Sequence, residues 1–285
     1  MSAQGIVVRA TSRELSPKER AVAEFYVEHR EEAAFLSAAE IAARLGTSDA
    51  TVVRAVKALG YSGIPELRRE LIDALRAQAT PAVRLGRSLE DAGEDPLGHV
   101  VGLELELLEH ARSLDRAGFE RAVDALASAQ RVLAFGLGPT GPLCEYFALR
   151  LNRFGRAATA ITESGLLLAD ALLAVRRGDA LVLIAHERLD RPAEVTLRRA
   201  NDLELPVVLL TDTLAGKLAD RVSVALVTPR SRGGSLTSSA ATIAILEALL
   251  LALAARDRAR SLAALAELNE LRKQLRVAPL EEELR

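Results

Sequence analysis

The sequence is short of the residues that most often announce chemistry. Its one cysteine, Cys144, excludes an internal disulfide and any cysteine-built zinc cluster, and it suits a reducing cytoplasm. Tryptophan is absent and aromatics make up only 3%, so the cores must be built from Ala, Leu and Val. No charge-free apolar run is long enough to span a bilayer; the nearest, Ile243 to Ala255, is too short and carries Glu247. The opening MSAQGIVVRATSREL has no apolar stretch followed by a cleavage site, and predicts no secretory signal. His29, His99, His110 and His186 are scattered, none at metal-ligand spacing from another. P-loops and G-x-S-x-G elbows are missing too. These absences predict a cytoplasmic protein with no membrane partner, no metal and no cofactor.

A net charge of -2 over 285 residues neither requires nor forbids a nucleic-acid partner, because a local basic face suffices. The length points to two domains, and their textures differ. Residues from about Leu15 to Leu75 are helical in pattern. Thr80 to Pro96 (TPAVRLGRSLEDAGEDP) is rich in Pro, Gly and charge and reads as a linker. A helical stretch follows, with Val100, Leu103, Leu107 and Leu108 on one side. From Arg131 onward, short apolar runs alternate with helix-length segments: RVLAFGLG, AATAITES, ALVLIAHE, PVVLLTDT and VSVALVTP. That alternation predicts βαβ units with a parallel sheet covered on both faces. A long helix from about Ser238 to Arg256 and a charged one from about Ser261 to Leu275 close the chain.

The strongest motif lies in LSAAEIAARLGTSDATVVRAVKALGYSG. Ser37 with Glu40 three residues on forms a capping box. Ile41, Ala42 and Leu45 supply the apolar side of a short helix, and Gly46 suits the turn that ends it. Ser48 caps a second helix, whose inner side is Val52, Ala55, Val56 and Leu59. Two short helices around a glycine turn make a helix-turn-helix. Its second helix is expected to present Asp49, Ala50, Thr51, Arg54 and Lys57 outward, toward a major groove. Thr51 and Arg54 are candidates for base edges. Arg44, Lys57, Arg68 and Arg69 are candidates for phosphates, which position the protein without reading sequence. The predicted partner is a double-stranded DNA operator, read as a homodimer or dimer of dimers.

LAFGLGPTG contains Gly136, Gly138 and Gly141 in G-x-G-x-x-G spacing. Glycines there let the backbone approach a ligand, and the following helix aims free N–H groups at any phosphate. Nicotinamide and sugar-phosphate sites share this physics. Glu163 even supplies the acid that a dinucleotide fold wants at the end of its second strand.

Residues Leu15 to Leu75, from LSPKER through LGYSGIPELRREL, resemble the helix-turn-helix domain of RpiR/MurR-type bacterial transcriptional regulators. FGLGPTG resembles the first strand and loop of the sugar-isomerase (SIS) domain that follows in that family. LAGKLAD resembles the segment before its last strand, and GGSLTSSAATIAILEALLLALA the loop and long helix that close it. The resemblance implies a carbohydrate-derivative effector, a sugar phosphate, whose binding adjusts operator affinity through a dimer. Its fold would be α followed by α/β: an all-helical helix-turn-helix domain over residues 1–79, then a linker and connecting helix over 80–116. A three-layer SIS-like domain with a mostly parallel sheet would span 117–256, and a C-terminal helix and tail 257–285.

One family feature is missing. SIS domains carry an S-x-S-G-x-T-type loop after the third strand, whereas this chain has IAHERLDRPAEV, Ile184 to Val195. Thr140 can replace the first loop's serine, but nothing from Ala185 to Pro192 replaces the second loop's hydroxyls. Three readings stay open. An anion is held by His186, Arg188 or Arg191; the domain only dimerises, with His186 in a solvated loop; or the ligand is of another kind. Ser235, Thr237 and Ser238 can add hydroxyls or simply cap a helix. No enzyme is predicted, since Glu163 and Glu194 are bases by residue type only. The alternative is a sugar-phosphate isomerase or nicotinamide enzyme built on the Gly136–Gly141 loop.

Overall fold

The computed structural model describes residues 15–33, 36–68, 70–71, 80–231 and 236–275. Contacts divide the chain into two compact units, Met1–His99 with Ser231–Thr237, and Val100–Arg230 with Ser238–Arg285.

The first unit is helical. Helix α1 (Pro17–Glu28) starts with Pro17, whose missing N–H is harmless in the first turn, behind a capping box of Ser16 and Glu19. A short α2 (Arg30–Ala33) leads to α3 (Ala38–Arg44) and α4 (Asp49–Ala58). The Ser37–Glu40 capping box forms as expected, with Ser37 N donating to Glu40 Oε2 at 2.7 Å. Gly46 takes φ +59, the left-handed conformation that ends α3. Ser48 Oγ accepts from Thr51 N at the head of α4. Ile41, Ala42, Val52, Ala55, Val56 and Leu59 join Val22, Tyr26 and Leu67 in one core.

Thr80–Pro96, read as a linker, contains a helix, α5 (Pro81–Ala92), capped by Thr80 and ended by Gly93 at φ +52. Its proline sits in the first turn, where it starts a helix rather than breaking one. Helix α6 (Pro96–Arg112) follows and buries Leu107 and Ala111.

The second unit is the expected layered α/β structure. It holds α7 (Arg116–Ala127), β1 (Arg131–Phe135), α8 (Gly141–Arg153), β2 (Ala158–Ile161), α9 (Gly165–Leu173) and β3 (Asp179–Ile184). Then come α10 (Arg191–Asp202), β4 (Val207–Thr211), β5 (Val224–Val227), α11 (Ala240–Arg256) and α12 (Arg258–Gln274). The five strands pair in parallel in the order β2-β1-β3-β4-β5. Alternate residues feed opposite layers. Val132, Ala134, Val182 and Val208 face α7, α8 and α11, while Leu133, Phe135, Leu183 and Leu209 face α9 and α10. Among the described residues no helix is long and apolar enough to cross a membrane.

Candidate functional site

On the helical unit, Ser48, Asp49, Ala50, Arg54 and Lys57 are exposed along the outer side of α4. Thr51 corrects the sequence reading. It is buried at 6% exposure, with its hydroxyl 2.9 Å from Ser48 Oγ, and it accepts from Arg54 Nη2 at 3.1 Å. Thr51 lies one turn before Ala55, on the inner side of the helix, so it supports Arg54 rather than facing outward. Arg44 pairs with Glu32. Arg68 is half-buried and one of its arms donates to the Leu36 carbonyl at 2.7 Å, so it ties down the entry to α3. Arg69 lies outside the described residues.

Sequence reasoning passed over the start of α1. Ser16, Pro17, Lys18 and Glu19 line one notch with Thr51 and Arg54. Hydrogen bonds from Ser16 hold the Glu19 carboxyl below its usual range, and Arg54 adds to the effect. The signal was available, because SPKE obeys the same capping rule that identified Ser37.

In the α/β unit every strand ends on the same side of the sheet, and the chain leaves β1 toward β2 on one side while β3 pairs on the other. Such a switch point opens a crevice beyond the strand ends. Phe135 pairs with Leu183, so the loops after β1 and β3 emerge side by side.

The first loop makes a 3₁₀ turn, Gly138–Thr140, and runs straight into α8 with no side-chain cap on its N-terminal N–H groups. Gly138 takes φ +58 with open space where a side chain would stand. Gly136 has another cause. A Cβ there would lie 2.7 Å from Thr140 Oγ1 and 2.8 Å from Cys144 Sγ, so it is demanded by packing and not by ligand approach. Thr140 also differs from expectation: it is buried and its hydroxyl donates to Leu137 O at 3.0 Å, closing the turn.

The second loop carries the unexpected feature. His186 is not in a solvated loop; it is 5% exposed. Its carbonyl is held from the β4 end by Thr213 N and Thr211 Oγ1, each at 3.0 Å. Both ring nitrogens, in contrast, are buried without a hydrogen-bond partner among the described residues. Burial pushes the imidazole pKa down to about 3, and the Arg230 charge acts in the same direction, so the ring is neutral. Arg188 and Arg191 are exposed, and Asp190 caps α10 by accepting from Ala193 N at 2.9 Å.

Ser238 donates to Glu104 Oε2 at 2.7 Å and accepts from Ala240 N at 2.9 Å. Its hydroxyl is therefore engaged just ahead of α11, whose N-cap, Ser239, makes no side-chain cap bond. Ser235 lies outside the described residues. The two carboxylates weighed as bases are also engaged: Glu194 is held by both arms of Arg221, at 2.8 and 2.9 Å, and Glu163 accepts from Thr162 N at 3.0 Å. Among the described residues no three of His, Cys, Asp or Glu gather as a metal-holding group.

Comparison with known proteins agrees with this geometry at both ends. The model for the helix-turn-helix domain of the rpiR family matches residues 6–78, and the SIS domain model matches residues 125–252. The HTH-type transcriptional regulator HexR of Escherichia coli (strain K12) is 28% identical over 200 residues, 69% of this chain and 68% of its own. The sugar isomerase domain of an RpiR transcription factor from Sphaerobacter thermophilus superposes with a TM-score of 0.55 at 27% identity, covering 59% of this chain and 94% of that domain. The NanR protein of Vibrio vulnificus shares the fold across 96% of this chain and all of its own, at 23% identity and a TM-score of 0.56. With an rpiR-family helix-turn-helix domain followed by a SIS domain, the chain belongs to the RpiR-type transcriptional regulators.

Proposed function

We propose that this regulator reads its operator through α4 as a homodimer, and that a small anionic effector, phosphosugar-like in kind, sets its affinity for DNA. Arg54 and Asp49 contact base edges, while Lys57 and the exposed part of Arg44 contact phosphates. The effector lies beyond the ends of β1 and β3, held by the Gly138 turn, the uncapped first turn of α8 and His186. Arg188 and Ser238 are second-rank contacts, the one exposed and the other already bonded.

One observation carries the effector reading: a buried imidazole with neither nitrogen hydrogen-bonded among the described residues, in the loop that the family resemblance matches to the serine loop of SIS domains. A buried polar group without a partner costs about 1–3 kcal/mol, which a bound ligand would recover. The NanR structure, of the same fold, holds ManNAc-6P. Here the second loop offers one neutral donor and one acceptor in place of several hydroxyls, so the contacts to the ligand differ.

Turnover is not part of the proposal. Isomerisation of an open-chain sugar needs a free base aimed at the substrate, and Glu194 and Glu163 are both engaged. The test is a thermal-shift screen of sugar phosphates, amino sugars and organic acids, followed by operator binding with each hit. A ligand that raises the melting temperature and changes DNA affinity, without being converted, supports the proposal. Conversion of a phosphosugar at enzymatic rates would overturn it.

A further inference from the structure

Helix α1 packs against α4, and its start reaches the residues of α4 expected to meet bases. Ser16, Pro17, Lys18 and Glu19 line one notch of about 380 Å³ with Thr51 and Arg54. Two of these side chains are pinned from within their own helices. Glu19 Oε2 accepts from Ser16 N at 3.0 Å and from Ser16 Oγ at 2.7 Å, while Arg54 Nη2 donates to Thr51 Oγ1 at 3.1 Å. The Ser16 hydrogen bonds hold the Glu19 carboxyl below its usual range, and the Arg54 charge acts in the same direction. No ion pair joins Glu19 to Arg54 among the described residues. An ionised carboxylate thus shares a notch with a cation that it does not touch.

We infer that Glu19 is a specificity-determining residue of the operator interface, which closes the notch to DNA phosphate and so keeps Arg54 on base edges, while Lys18 takes the phosphate at the rim. That role deepens the DNA reading proposed above and rests on Arg54 meeting bases. An arginine fork fits phosphate and guanine alike, and a phosphate contact carries no sequence information. An arginine able to swing onto the backbone would therefore hold every duplex about equally. Three features of this chain oppose the swing. Thr51 fixes one arm of the guanidinium. The Glu19 charge repels a phosphate at short range, where salt screens little, but weighs far less on the guanine edge, whose O6 and N7 are acceptors without net charge. Lys18, exposed and in no ion pair among the described residues, offers the phosphate another cation at the same notch.

The helix end is not itself the anion site. Pro17 has no N–H, and Glu19 N is taken by Ser16 Oγ at 3.4 Å. The chain also carries its own control. The Ser37–Glu40 capping box repeats the same bonds at the start of α3, but the charges acting on Glu40 are those of Arg44 and Arg68, not Arg54.

The test uses the full-length protein, a duplex that the wild type selects from a random-sequence pool, and a scrambled duplex of the same composition. Glu19→Gln preserves the cap, because glutamine also serves at that position. It should lower the ratio of selected to scrambled affinity about tenfold, within the ~5–150-fold that one bidentate arginine–guanine contact supplies, without weakening binding to the scrambled duplex. Lys18→Ala should reduce the slope of log affinity against log salt by about one on both duplexes. Glu40→Gln should change neither quantity. In an Arg54→Ala background, adding Glu19→Gln should cost no further discrimination, since a positioning residue acts only through the side chain it positions. Unchanged discrimination in Glu19→Gln, with discrimination lost in Arg54→Ala, would take Glu19 out of the readout and leave Arg54 in it. Discrimination unchanged in both would overturn the Arg54 reading and this role together. An equal loss in Glu40→Gln would mark the effect as one of helix capping, and an unchanged salt slope in Lys18→Ala would place the α1 turn outside the interface; either overturns the proposal.

Discussion

Arg54 donates from Nη2 to Thr51 Oγ1 at 3.1 Å, one turn back along α4, and Thr51 is in turn 2.9 Å from the N-cap hydroxyl of Ser48. The chain of contacts fixes a long cation at the head of the helix expected to enter the major groove. Arg54→Ala should leave the fold intact and remove most discrimination between operator and unrelated DNA, about 1–3 kcal/mol if the contact is bidentate to guanine. Thr51→Val, nearly the same shape without the hydroxyl, should weaken operator binding less, by freeing Arg54. Gel-shift titrations on specific and scrambled duplexes decide both. Equal discrimination in Arg54→Ala takes this residue out of the readout.

Phosphate contacts give a different signature. Lys57→Ala should weaken binding to all sequences alike and reduce the slope of log affinity against log salt by about one. A change in sequence preference instead would move Lys57 from backbone to base.

The two glycines of the first loop should respond differently to alanine. Gly136→Ala puts a methyl group 2.7 Å from Thr140 Oγ1 and 2.8 Å from Cys144 Sγ, and is expected to cost about 1–3 kcal/mol through overpacking. Gly138→Ala meets no atom, and its cost is the left-handed backbone at φ +58, about 1–2 kcal/mol. Gly138→Asn should recover part of that loss, whereas Gly136→Asn should be worse than Gly136→Ala. Urea midpoints of the four variants test this.

His186 makes stability depend on pH. Its folded pKa, about 3, lies below the ordinary histidine value of 6.5. The unfolded chain therefore takes up a proton that the native one refuses. Its contribution is fully present above pH 6.5 and is lost as pH falls toward 3, on the order of 1 kcal/mol per pH unit. His186→Leu should flatten the melting temperature between pH 7 and pH 5 relative to wild type. Identical slopes would mean that the ring can be protonated in place.

Much of this was legible because the signals are local. Ser37–Glu40 and Ser48 cap helices with atoms three residues away, and five apolar runs became five strands, the central β3 and β4 buried along their whole length and the edge strands β2 and β5 partly exposed. What stayed hidden depended on partners distant in sequence or on position within a turn. Pro81 looks the same whether it breaks a helix or begins one. Thr51 is polar by composition yet faces inward by phase. Gly136 is small because Cys144, eight residues on, comes within a bond length or two of where its side chain would be. His186 sits in IAHERLDR, whose composition reads as solvated, and only the β4 end, twenty-five residues later, explains its burial.

Four groups converge on the His186 carbonyl: Thr211 Oγ1 and Thr213 N at 3.0 Å, Asp212 N and Thr213 Oγ1 at 3.3 Å. The backbone beneath the ring is thereby immobilised before anything binds. If the proposed effector binds here, it meets a preorganised imidazole and has no loop ordering to offset at this residue. A signal leaving the proposed site would then start as a rotation of the ring or a pull on β4, since the residue 186 carbonyl is tied to the β4 end by four hydrogen bonds.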